Sequence, residues 1–413
     1  MTTTAEPIVD DGGLWVGATG RTLGVVATAH WLSHFHIMVL PPLFPFLKEM
    51  LGVGYVELGL SLTVFSVVSG LTQAPMGFLV DRWGAQRILV GGLCLGGAAF
   101  MLLGLTLAYP ALLACAALAG LANSVYHPCD YALLSAAMDE KRMGRAFSIH
   151  TFAGYLGGAI APALLLVLVA LVGVRWTLVV AGALGPLAAL LVATTSIPRA
   201  AAPAVAKTGW SGRRSVAGVL TLPILVLTAF FALISLSNGG IGTFSVVALM
   251  AGHGLTFETA NVALTAFLAA GAVGVLAGGV LADRTVRHGL VAAACFAANA
   301  VIIGLIAVAT PPALVIVAGL GLAGFLGGII APSRDMLVRK AAPSGAAGSA
   351  FGIVSTGFNI GGIAAPMIYG FIMDQGAARG VFAVAVGFML VAVALTLATD
   401  RWLARRDAPA SRA

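Results

Sequence analysis

The sequence predicts an all-α membrane protein with twelve transmembrane helices in two pseudo-symmetric six-helix halves, and three observations carry that prediction. First, 60% of the 413 residues are hydrophobic and 9% are charged, with a mean hydropathy of +1.04. A water-facing surface built from that stock would be one large apolar patch, which excludes a soluble domain. Second, the apolar residues form twelve runs near the roughly 20 residues that a helix needs to cross lipid, six on each side of a polar stretch. Alternating strand patterns are absent, and in lipid the backbone must satisfy its own hydrogen bonds, so helices are the remaining solution. Third, Pro128 and Pro332, Phe147 and Phe351, Gly158 and Gly362, and Pro162 and Pro366 are each 204 residues apart. Four matches at one offset mark an internal repeat, and in that register Asp130 stands opposite Arg334.

Taken in order, residues 1–20 carry Glu6, Asp10 and Asp11 and lack a basic flank before a cleavable apolar core. They read as a cytosolic tail without a signal peptide. The first half occupies 21–197. Helix 1, from about Arg21 to Lys48, carries His30, His34 and His36 and then meets Pro41-Pro42-Leu43-Phe44-Pro45. His30 and His34 share a face, while His36 points about 200° away from His34 in an unbroken helix. Helices 2 and 3 flank a short polar stretch. Helix 4, about Pro110 to Met138, holds Tyr126, His127 and Asp130, with His127 and Asp130 one turn apart. Helix 5 begins with Phe147 and His150, and Gly154 with Gly158 gives it a small-residue groove for close helix contact.

Residues 198–217 are rich in Ala, Pro, Gly and basic side chains without an apolar face, and read as a cytosolic linker. The second half, 218–404, repeats the first: helix 10 has Ser333-Arg334-Asp335, and helix 11 runs from Phe351 through Pro366. A cytosolic tail, 405–413, completes the layout. Cys94, Cys115, Cys129 and Cys295 all lie in helices as small apolar packing residues, with no CxxC pair or disulfide framework.

The net charge of +7 is not a nucleic-acid signal, because the 22 Lys and Arg residues sort by side. With the N-terminus inside, eighteen fall on the cytoplasmic side, Lys48, Arg175 and Arg379 outside, and Arg334 within a helix. That asymmetry follows the positive-inside rule, and places both termini in the cytosol of a multi-pass protein of the bacterial inner membrane.

The stretch between helices 2 and 3 reads Gly77-Phe78-Leu79-Val80-Asp81-Arg82-Trp83-Gly84-Ala85-Gln86-Arg87. A weaker copy holds Gly278, Leu281, Asp283 and Arg284, with Val286 in place of the second glycine, and the two aspartates are 202 residues apart. Small glycines permit close helix approach, an aspartate suits the start of the following helix, and the arginines anchor the cytoplasmic face. The doubled pattern resembles the loop between helices 2 and 3 of the major facilitator superfamily. That resemblance spans nearly the whole chain and implies alternating access about one central site, lined by helices 1, 4, 7 and 10. It makes Gly77, Asp81, Arg82, Gly84, Arg87, Asp283 and Arg284 conformational-switch residues, so Asp81→Ala is expected to slow turnover more than ligand binding. The early histidine of helix 1, Tyr126-His127-Pro128 and Ser333-Arg334-Asp335 are further similar to bacterial permeases of the fosmidomycin-resistance type.

A charge at mid-membrane costs about 3 kcal/mol on insertion scales and so needs a reason. Asp130, Arg334 and Asp335 are the charged residues placed well inside helices, joined by His30, His34, His127 and His150. Three readings of Asp130 stand side by side. It or a nearby histidine, His127 or His150, takes up and releases a proton as the cavity alternates, since histidine titrates near neutrality; or it pairs with Arg334 to close the cytoplasmic side; or it touches the solute directly. Asp335 has a second partner available in Arg339, one turn on. His30, His34, Tyr126, Asn238, Asn359 and Arg334 are substrate-cavity candidates. His30 and His34 have metal-ligand spacing, but no cysteine or carboxylate lies beside them in sequence, so no metal and no cofactor are expected.

The resulting expectation is a proton-coupled secondary transporter, not an enzyme, that moves a small organic solute, anionic or drug-like, with export favoured. Its partners are that solute, protons and the lipid bilayer, with no nucleic acid, and it works as a monomer. The rivals are an importer or facilitator of a carboxylate or metal chelate, a non-transporting receptor, and a histidine-box membrane enzyme. The sequence Ala161-Pro162 lacks the glycine pair that follows proline in the antiporter signature of this superfamily.

Overall fold

The computed structural model describes residues 17–138, 140–197, 220–341 and 347–406. The predicted linker at 198–217 and both predicted tails lie largely outside them. Twelve helical elements follow one another: α1 (Gly17–Ile37), α2 (Leu40–Leu51), α3 (Tyr55–Trp83), α4 (Ala85–Thr106), α5 (Tyr109–Ala137), α6 (Glu140–Thr194), α7 (Leu222–His253), α8 (Phe257–Arg284), α9 (His288–Val308), α10 (Ala313–Ala341), α11 (Ala347–Asp374) and α12 (Gly380–Arg406). No strand occurs among the described residues.

Elements and membrane crossings differ at two places. α1 and α2 form a single crossing broken at Met38-Val39, because Pro41 and Pro42 have no N–H to return to the preceding turn. The chain tightens there: the Met38 N–H donates to the Phe35 carbonyl at 3.0 Å and the Val39 N–H to that of His36 at 3.2 Å. α6 is the reverse case, two crossings in one element. Gly173 at φ 74°, ψ 169° lets the chain turn back where a side chain would be strained. Before it, Gly154 and Gly157 lie against α1; after it, Gly182 and Gly185 lie against Gly97 of α4. The described residues therefore make twelve crossings, six on each side of the linker.

Matching turns mark the two halves as copies. Gly52 and Gly254 both end helices in the left-handed conformation, and Gly54 and Thr256 both begin the next, each pair 202 residues apart. Gly84, at φ 90°, ends α3 and opens α4 without an intervening loop, while its N–H reaches the Val80 carbonyl at 2.9 Å.

One end of the bundle is rich in exposed basic residues: Arg21, Arg82, Arg87, Arg284, Arg287 and Lys340. The three basic residues at the other end are each bound locally. Arg175 donates to the Leu105 carbonyl at 2.7 Å, Arg379 to the Gly252 carbonyl at 2.9 Å, and the Lys48 ammonium sits 4.2 Å over the Tyr55 ring. Two of them cap helix C-termini, where the backbone dipole favours a cation.

The halves meet tightly at that second end. Asp374 of α11 accepts the N–H groups of Tyr55 and Val56 at 2.7 Å each, capping α3 from the opposite half. Phe44 meets Phe244 at 5.5 Å between centroids, and Phe46 meets Phe257 at 4.7 Å. Along α3 the seam with α11 then loosens. A Cβ built on Gly59 would lie 2.4 Å from the Pro366 oxygen, one on Gly70 would lie 3.8 Å from Asn359, and one on Gly77 would meet nothing within 4 Å.

Candidate functional site

Five titratable side chains from three helices of the first half converge in the bundle. α1 brings His30 and His34 one turn apart, α5 brings His127 and Asp130, and α6 brings His150. Pro128, inside α5, removes a backbone hydrogen bond at the turn that carries His127 and Asp130. Gly154 makes room for the α1 rings: its Cβ position lies 2.7 Å from His30 and 2.9 Å from His34.

Asp130 is fully buried, and its Oδ2 atom takes both close contacts. His150 Nε2–H donates to it at 2.9 Å, and His30 Nδ1 stands 3.3 Å away. The His30 and His150 rings stack at 3.7 Å, while His34 and His127 flank His30 at 4.7 and 5.3 Å. Asp130 Oδ1 and His127 Nδ1 have no hydrogen-bond partner among the described residues. Among the described residues, this buried carboxylate thus faces imidazoles and no permanent cation. Carboxylate and imidazole groups at these distances are chemically able to pass a proton between them. The ligand atoms of His30, Asp130 and His150 lie within 4.8 Å of one another, two imidazoles and a carboxylate, which in number and type is also a transition-metal donor set.

The Asp130–Arg334 pair is not formed in this structure. Arg334 Nε donates to the adjacent Asp335 at 2.9 Å, and its guanidinium lies between the rings of Phe231 and Phe358 at 4.7 and 5.0 Å. Each charge has taken the partner nearest to it on its own side. The Arg339 side chain, the other partner weighed for Asp335, lies outside the described residues, as do those of Asp81 and Asp283.

Between the halves lies a chamber of about 160 Å³, lined by His36, Phe65, Ser66 and Phe100 from one side and Ser235, Thr243, Gly362 and Pro366 from the other. No Lys, Arg, Asp or Glu lines it among the described residues. Of the cavity candidates read from sequence, His30 and His34 belong to the histidine cluster, Asn359 faces Gly70 across the seam, Asn238 is exposed and Arg334 is clamped as described. Tyr126 borders a small alcove of the chamber. His36, set aside because of its angle from His34, reaches the chamber because that same angle turns it away from the cluster. Gly158, read as half of a contact groove, meets nothing within 4 Å; Gly157 takes that contact, its Cβ position 2.0 Å from the Trp31 oxygen.

Two halves of six crossings around a central chamber define a membrane transporter. The chain belongs to the major facilitator superfamily, whose family profile matches residues 26–316 and 225–412. It is 26% identical over 272 residues to the fosmidomycin resistance protein of Escherichia coli (strain K12), an alignment covering 64% of this chain and 66% of that protein. It is also 26% identical to the MFS-type transporter YfnC of Bacillus subtilis (strain 168), covering 92% and 93%. Among solved structures, a bacterial homologue of the human lysosomal transporter Spinster aligns with a TM-score of 0.77 at 14% identity, covering 93% of this chain and 97% of that one. The nucleoside transporter NupG aligns at 0.76 and 15% identity, covering 92% and 99%. At those identities the two structures speak to the fold alone.

Proposed function

We propose that this transporter is proton-coupled and exports a small, drug-like organic solute across the bacterial inner membrane by alternating access. The observation that carries the reading is Asp130, fully buried, touching His30 and His150 and no Lys or Arg among the described residues. A carboxylate in that setting is a natural proton carrier for a transporter that couples solute movement to a gradient. The positive-inside rule assigns the arginine-rich end to the cytosol, so the end at which the α3–α11 seam loosens faces inward and both termini are cytosolic. The export direction rests on the similarity to the fosmidomycin resistance protein. The protein is read as a functional monomer, with each half rocking about the chamber and the Gly77–Arg87 and Asp283–Arg284 segments steadying the closure.

The test is proton movement in proteoliposomes carrying a pH-sensitive dye, challenged with a panel of organic anions, metabolites and drugs, for wild type and Asp130→Asn. Substrate-dependent proton flux that disappears in the variant is the expected result. Solute movement without proton flux, indifferent to the substitution, would overturn the coupling and leave a facilitator. A metal-dependent site would show itself instead as flux abolished by chelator and a stoichiometric ion in the purified protein.

A further inference from the structure

His36 and Tyr126 face one alcove of the chamber with unspent hydrogen-bonding capacity. His36 Nε2 lies 3.0 Å from the Ala181 carbonyl oxygen. A carbonyl only accepts, so Nε2 carries the hydrogen, and in the neutral ring Nδ1 is left as a bare acceptor. That atom is buried and has no partner among the described residues, and the same is true of the Tyr126 hydroxyl, on a side chain 3% exposed. Both lie 3.5 Å from the point where a Cβ on Gly96 would stand, so a small polar group seated beside Gly96 is within reach of both. The alcove there measures about 10 Å³, room for one water-sized group. It shares His36, Ile37, Phe65, Phe100 and Ala119 with the chamber and so adjoins it.

We propose that His36 and Tyr126 form a substrate subsite for one uncharged polar group, a hydroxyl or an amide, carried on an apolar body that fills the chamber. The group donates to His36 Nδ1 and accepts from the Tyr126 hydroxyl. Charge is selected against from both directions. An anionic oxygen would meet the bare lone pair of Nδ1, and a cation would find no carboxylate among the described lining residues. The inference rests on the chamber being the transport site, and it narrows the solute to a neutral one.

The experiment measures binding of 1-naphthol, 1-methoxynaphthalene and 1-naphthoate to the full-length protein in nanodiscs. The alcohol both donates and accepts, the ether only accepts, and the carboxylate is charged. Wild type should bind the alcohol about tenfold more tightly than the ether and more tightly than the carboxylate. His36→Phe should erase the preference for alcohol over ether. Tyr126→Phe, which removes one oxygen and keeps the shape, should weaken alcohol and ether together by several-fold. Equal binding of alcohol and ether by wild type, tighter binding of naphthoate, no binding of naphthol, or an unaltered Tyr126→Phe profile would each overturn the subsite. The assay reads no protons. Loss of the coupling reading with this pattern intact leaves the subsite standing, and the converse removes the subsite alone.

Discussion

At one register position the two halves of the molecule hold charge in opposite ways. In the first half, Asp130 lies fully buried against His30 and His150, groups whose charge can change. In the second, 204 residues on, Arg334 has a permanently charged guanidinium, paired with Asp335 and covered by two phenylalanine rings. The neighbours diverge in step: the positions matching His30 and His150 are Ile234 and Val354, both buried and apolar. Duplication supplied two equivalent scaffolds, and the side chains gave one a carboxylate among imidazoles and the other a fixed guanidinium charge. Helix geometry is shared; titratability is not.

Asp130→Asn should produce the largest effect, because it removes the one carboxylate of the titratable cluster. Uphill transport should fall by at least about 100-fold, the scale of a positioned proton-transfer group, while solute exchange without a gradient stays near wild type. Uphill transport and exchange falling together would mean that Asp130 holds the half in shape, and the contrast between halves would lose its functional content.

His150→Ala is next. It deletes the 2.9 Å hydrogen bond to Asp130 and leaves a buried acceptor short of a donor, so a loss of about tenfold in uphill rate is expected. His30→Ala should cost less, since His30 touches the same oxygen at 3.3 Å without hydrogen-bond geometry. Reversal of that order would make the stacked His30 ring, not the hydrogen bond, the working contact. In the second half, Arg334→Lys keeps the charge but loses the planar face stacked on Phe231 and Phe358. It should slow uphill transport and exchange alike by about threefold, because a fixed charge has no separate coupling role.

The duplication, the crossing count and the polar residues of helices 1, 4 and 5 were legible because each leaves a one-dimensional trace: a run length, an offset, a charge where lipid forbids one. Partners were harder. Asp130 and Arg334 align in sequence, and alignment suggested contact, yet the nearest available groups decide pairing, and Asp335 is adjacent to Arg334 while His150 reaches Asp130 across α5 and α6. His36 was missed for a related reason. Its wheel angle correctly separated it from His30 and His34, but a wheel does not say what lies on the other side, here Phe100, the Ala181 carbonyl and the chamber. The abrupt turn at Gly173 between the fifth and sixth crossings was also invisible, since a single glycine in an apolar run carries no sign of its own backbone angle.

The smallest effects belong where the halves still agree. Gly157 and Gly361 are 204 residues apart, and each packs on the first helix of its own half at equivalent residues, Trp31 and Ser235. An added Cβ would stand 2.0 Å from the Trp31 oxygen in one case and 2.3 Å from the Ser235 Cβ in the other. Gly157→Ala and Gly361→Ala should therefore lower thermal stability by similar amounts, about 1–3 kcal/mol for an overpacked contact. One position further on, symmetry fails. Gly158 meets nothing within 4 Å, whereas a Cβ on Gly362 would lie 3.3 Å from Ser66 Oγ, across the seam between halves. Gly158→Ala should leave both the melting temperature and transport unchanged. Gly362→Ala should spare stability but slow turnover, because the contact it crowds joins surfaces that must slide. Equal effects at 158 and 362 would show the seam to be passive, and would confine the functional difference between the halves to their buried charges.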